Sequence, residues 1–83
     1  MSEKKITQAA LLNLLDSQQH RCALTGRKLE PEVAALDHVM PLGRGGVNDM
    51  TNVAIVHRDV NAAKGSMTRE EFVEMCREVA RYA

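Results

Sequence analysis

The chain has 83 residues, room for one small domain and no more. Its formal net charge is zero, so bulk charge neither selects nor excludes a nucleic-acid partner. Only Phe72 and Tyr82 are aromatic, which leaves the core to Leu, Val, Ile, Met and Ala, and no apolar run nears the ~18 residues of a membrane span.

The first segment, ITQAALLNLLDSQQH, repeats Leu11, Leu14 and Leu15 at helical spacing and predicts a helix over about residues 8–19. Thr7 is placed as its N-cap, with Ile6 and Leu11 as a hydrophobic staple. In RCALTGRKLEP, Thr25-Gly26 marks a turn and Pro31 excludes a helix interior nearby. VAALDHV reads as a short strand and MPLGRGGVNDMT as a polar loop with three glycines. NVAIV reads as a buried β-branched strand, and HRDVNAAKG as a short helix stopped by Gly65. MTREEFVEMCREVARYA predicts a helix over about 69–82, opened by a Thr68/Glu71 capping box and a Met67–Phe72 staple. Phe72, Cys76, Val79 and Ala80 fall on one apolar stripe of that helix, which puts Cys76 in the core. The fold class is therefore α+β in a single domain, with no repeat, low-complexity stretch or linker.

Charge is unevenly distributed. The middle carries Arg21, Arg27, Lys28, Arg44, Arg58, Lys64 and Arg69, and the last helix carries Glu70, Glu71, Glu74 and Glu78. Such asymmetry can hide a phosphate-binding face within a neutral total. Cys22 and Cys76 are the only cysteines, and MSEKKITQ has no apolar targeting region. Together they suggest reduced thiols and a cytoplasmic setting.

Three polar positions stand out: Asp37-His38 ending the first strand, Asn52 opening the second, and Asn61 in the short helix. If the strands pair as a hairpin and the helix folds back, a carboxylate, an imidazole and two carboxamides surround one space. That set suits metal-assisted phosphodiester hydrolysis. Asp37 and Asn61 offer the oxygen atoms that Mg²⁺ prefers, and other coordination positions stay open for water and phosphate. His38 can take a proton from an attacking water near neutral pH. The metal stabilises the leaving oxygen. The glycines let the loop hold His38 in one orientation, and Asn52 is placed to bond loop backbone. Arg44, Arg58 and Lys64 are available to phosphates.

At this point DHVMPLGRGGVNDMTNVAIVHRDVNAAKG resembles the ββα-metal core of HNH endonucleases, over roughly residues 21–66. The likeness rests on Asp-His, Pro-Leu, a Gly-Gly loop, Asn before an apolar strand, and a helix with Asn followed by Lys and Gly. The intervals from His38 to Asn52 and to Asn61 also fit. The resemblance implies a two-stranded antiparallel ribbon and a short helix holding one divalent metal, Mg²⁺ or Mn²⁺, between an N-terminal and a C-terminal helix. It implies Asp37 as first metal ligand, His38 as general base, Asn52 as the residue fixing the loop that carries the catalytic His, and Asn61 as a ligand at a position often His. This His-Asn-Asn variant is similar to the HNH domain of RNA-guided CRISPR effectors. The family cuts the 3′ O–P bond of DNA, leaving 5′-phosphate and 3′-hydroxyl ends.

The chain departs from the family at the structural zinc site. Many members bind zinc through two Cys-x-x-Cys pairs; here Cys22 matches the first position, but Thr25, His57 and Val60 stand at the others. Two ligands do not close a tetrahedral site. No structural zinc is expected, and apolar packing around Thr25 and Val60 takes its place. His57 can cap the short helix, meet a phosphate or lie idle, and a structural role is favoured. His20 suits a helix C-terminus and is assigned no function.

An alternative is a nucleic-acid-binding or assembly module of the same fold that needs a partner. Small stand-alone HNH proteins are similar to those of phages and prophages, some of which work with DNA-packaging terminases. The implied location is then a bacterium or phage-infected host. A purely structural protein fits the helices but leaves the polar constellation unexplained.

Overall fold

The computed structural model describes residues 4–83. Helix α1 spans Gln8–Ser17, and Thr7 caps it by accepting a hydrogen bond from the Ala10 amide at 3.0 Å. Hydrophobic periodicity carries this helix to residue 19, but it stops at Ser17. Gln19 and His20 both take φ of 57°, and their amides bond back to Asp16 and Leu15, which turns the chain out of the helix.

Residues 20–29 then make a small loop closed by backbone bonds from Cys22 to Arg27 and from Leu29 to His20. Its turn uses Gly26 at φ 74°. Pro31–Val33 form one 3₁₀ turn with proline in the first position.

Strand β1, Ala34–His38, pairs antiparallel with β2, Val53–His57, in a register that sets Asp37 opposite Ala54 and His38 opposite Val53. β2 is buried along Val53–Val56, as a short apolar, largely β-branched run should be when both its faces are covered. Its second edge is sealed by a side chain. The Gln18 amide accepts from the Ile55 amide at 3.0 Å and donates to the Ile55 carbonyl at 2.8 Å. That contact satisfies backbone groups an open strand edge would leave bare.

Helix α2, Arg58–Lys64, begins at the residue after β2 and packs back on both strands. His57 is its N-cap, with Nδ1 accepting from the Asp59 amide at 3.1 Å, so the structural role is the one it fills. Gly65 ends the helix at φ 52°, ψ −125°. The result is an α+β fold, a ββα unit flanked by α1 and the C-terminal helix α3, Arg69–Tyr82. The Thr68/Glu71 capping box is formed in both directions.

The core joins Cys22, Leu29, Ile55, Val56, Val60 and Phe72, with Leu14, Leu15, Leu24, Ala35 and Met67 against it. Val60 thus packs beside Cys22. Thr25 does not share that packing as the sequence suggests: it is exposed, and its hydroxyl bonds the Arg27 amide and the Cys22 thiol. Burial pushes the Cys22 thiol pKa up, but bonds from the Thr25 hydroxyl and from backbone at His57, Leu24 and Thr25 outweigh it and leave it lowered.

The apolar stripe of α3 is also a correction. Only Phe72 is buried. Cys76 is exposed, as are Val79 (59%) and Tyr82 (97%), because the small ββα body reaches only the first turns of the helix. Among the described residues, no helix is long and apolar enough to cross a membrane.

Candidate functional site

β1 ends where α2 crosses it, and a cleft of about 370 Å³ opens there, lined by Leu36, Asp37, His38, Pro41, Leu42, Asn61, Gly65 and Ser66. Three of the four polar residues singled out from the sequence, Asp37, His38 and Asn61, therefore share one space. Asn52 does not line it and stands behind the loop.

Asn52 is buried and uses its whole amide on that loop. Oδ1 accepts from the Met40 amide at 2.8 Å, while Nδ2 donates to the carbonyls of Met40 and Val47, both at 2.9 Å. A single side chain so ties the start of the 39–52 loop to its middle. The glycines complete the fit. Gly45 adopts φ 91°, and a Cβ on Gly46 would lie 1.9 Å from the Met40 carbonyl oxygen and 2.8 Å from Asn52 Nδ2. Only glycine lets the loop pass this close. Asn52 is thus a positioning residue rather than one that touches the cleft.

His38 is held from the same loop. Its Nε2 lies 2.8 Å from Asn48 Oδ1. An Nε2–H donating to Asn48 leaves the lone pair on Nδ1, the arrangement a proton acceptor needs. Asn48 was not legible in the sequence: one Asn in a glycine-rich loop reads as a turn residue.

Asp37 is 4% exposed, and a carboxylate at that depth needs partners. One oxygen has them. Lys64 Nζ donates to Asp37 Oδ1 at 3.0 Å, and to the carbonyls of His38 at 3.1 Å and Val39 at 3.4 Å. The other oxygen, Oδ2, is buried without a hydrogen-bond partner. Asn61 lies one helical turn before Lys64 on α2, so the same face of the helix carries both toward the end of β1.

The three cations expected at phosphates are placed differently. Lys64 is 1% exposed and spent on Asp37, so its ammonium is an interior ion and not a surface one. Arg44 grips Glu71 with both guanidinium arms, one of them at 3.3 Å, and ties the loop to the start of α3. That guanidinium, with the Thr68 amide, draws the Glu71 carboxyl from 4.5 down to about 2. Arg58 is exposed at the start of α2 with no ion pair among the described residues, and it alone keeps the expected freedom.

Asp37 and Asn61 bring oxygen donors to the lining of the cleft. Among the described residues no three His, Cys, Asp or Glu side chains gather as metal ligands. Asp37, with one orphaned buried carboxylate oxygen, and Asn61, with its carboxamide, both line the cleft, and oxygen is the donor type that Mg²⁺ or Mn²⁺ prefers. Compared with protein-family models the chain matches none, and it matches no curated protein.

Proposed function

We propose that this chain is a metal-dependent endonuclease of the HNH type, hydrolysing DNA phosphodiester bonds to 5′-phosphate and 3′-hydroxyl ends. The observation that carries the proposal is the pairing, on one cleft, of an orphaned buried carboxylate oxygen on Asp37 with an imidazole oriented by Asn48. His38 accepts the proton of a water attacking phosphorus, at Nδ1. Asn48 holds the ring, and Asn52 holds the loop that carries Asn48. Asp37 Oδ2 and the Asn61 amide oxygen would hold a divalent cation, Mg²⁺ or Mn²⁺. When bound, that ion polarises the phosphate and stabilises the departing 3′ oxygen. Arg58 contributes electrostatic grip, which makes binding sensitive to salt and weak in sequence preference.

The test is incubation of supercoiled plasmid with the purified protein and Mg²⁺ or Mn²⁺, beside His38→Ala and an EDTA control. Nicking by the wild type alone is expected. Nicking that survives either control rejects the mechanism.

One observation favours a second role, an assembly module of the same fold that acts with a protein partner such as a phage terminase. The apolar stripe of α3 is left open, with an apolar groove of about 350 Å³ between Leu24 and Phe72, Val73, Cys76 and Ala80. DNA binding without cleavage by the wild-type protein would point to that role.

A further inference from the structure

We propose that Lys64 is a positioning residue for the cation site. It holds Asp37, a residue that lines the cleft, by one oxygen, leaves the other without a partner, and weakens the free protein's hold on the metal. This rests on the nuclease proposal above, but it concerns binding and not cutting.

Lys64 is the most deeply buried charged side chain of the described residues, at 1% exposure. Its ammonium has three acceptors within 3.4 Å, and they converge from the end of β1: Asp37 Oδ1 and the His38 and Val39 carbonyls. Each feature has a consequence for a cation at Asp37. The bond to Oδ1 favours ligation through Oδ2, because Oδ1 is already engaged by Lys64 while Oδ2 has no partner. The two carbonyl bonds lock the ammonium in place, so it cannot swing aside when a metal arrives. The positive charge lies 3.0 Å from the one carboxylate that lines the cleft among the described residues, and it opposes a second cation on the other oxygen. Asn61 adds an oxygen but no charge. The free protein should therefore bind a divalent ion poorly. Substrate phosphate, which brings both negative charge and oxygen ligands, should complete the site.

The experiment measures Mn²⁺ binding directly, by the electron paramagnetic resonance of free Mn²⁺, with no DNA present. Lys64→Gln keeps a donor toward Asp37 and removes the charge. Folded Lys64→Gln should bind Mn²⁺ tighter than the wild type by roughly tenfold or more, and adding Asp37→Asn should abolish the gain. Equal or weaker binding by the folded variant overturns the proposal, as does the absence of binding by both proteins. If Lys64→Gln does not fold, the wild type decides. Its Lys64 Nζ nuclear magnetic resonance signal should broaden at substoichiometric Mn²⁺ and recover with excess Mg²⁺; an unaffected signal overturns the proposal. The nuclease proposal fails separately. A chain whose Mn²⁺ affinity follows Lys64 but which never nicks plasmid would sink that activity and leave the role of Lys64 standing. Nicking by a wild type whose folded Lys64→Gln variant binds no tighter does the reverse.

Discussion

Asn52 and Met40 exchange two hydrogen bonds, Met40 N to Asn52 Oδ1 at 2.8 Å and Asn52 Nδ2 to Met40 O at 2.9 Å. A side-chain amide here does what a strand neighbour does elsewhere. It reads the backbone just beyond β1 as if it were one more rung of the ladder, and its spare N–H reaches on to Val47. Asn52→Ala strands those backbone groups and should cost ~2 kcal/mol of stability. Cleavage should fall by about 100-fold, because the loop that aims His38 loses its tie. Chemical denaturation and plasmid nicking measure the two effects. Gly46→Ala should mimic the variant, since its methyl group would occupy the same junction.

Among the described residues, the Asn48 side chain bonds only His38. Asn48→Ala should lower nicking by about 10- to 100-fold in the wild-type background. It should have no further effect on a His38→Ala protein. A double-mutant cycle reads this directly. An equal loss in both backgrounds would show that Asn48 does something other than hold the ring.

Asp37→Ala and His38→Ala should fail in different ways. His38→Ala removes a half-buried ring and leaves the Asp37–Lys64 pair intact, so the fold and Mn²⁺ binding in the presence of DNA should persist while hydrolysis is lost. Asp37→Ala strands a buried ammonium and should cost ~3 kcal/mol as well as the metal response. Thermal unfolding beside a metal titration separates the two variants. Equal stability for both would contradict the buried ion pair.

The Arg44–Glu71 link predicts an acid-sensitive contact. The Glu71 carboxyl lies at about 2 in the folded chain against 4.5 unperturbed. A depressed folded value means that the unfolded state binds the proton more readily. The stabilisation is therefore fully present above about pH 4.5 and lost as pH falls toward about 2. Thermal midpoints across this window should fall less steeply for Glu71→Gln than for the wild type. Parallel curves would show that the pair contributes nothing in solution.

Much of this molecule is local in origin. The Thr68/Glu71 box opens α3 at the expected residue, and Gly65 closes α2, because caps are set by neighbours within a turn. The second strand was legible as a short β-branched run, and the first as a short segment ending at Asp37-His38 before a glycine-rich loop. Burial was less legible. Cys76 falls on a stripe that looks like core, but a stripe is buried only if a body lies beneath it, and here the body ends near Phe72. Asn48 carries no signal in sequence, since its meaning depends on where the loop returns to His38.

The sequence by itself determined the α+β order and the helix limits at α2 and α3, and it singled out Asp37, His38, Asn52 and Asn61 as a candidate set, because periodicity, caps and motif spacing are properties of nearby residues. Only the tertiary structure decided how that set divides. Asp37, His38 and Asn61 reach the cleft, while Asn52 supports it from behind. Only the tertiary structure, too, turned Lys64 from a presumed surface cation into the buried partner of Asp37, and Arg44 into a clasp on Glu71. Both pairs join residues 27 positions apart. Whether a charge meets solvent or a counter-ion depends on which elements fold across it, and no local pattern encodes that.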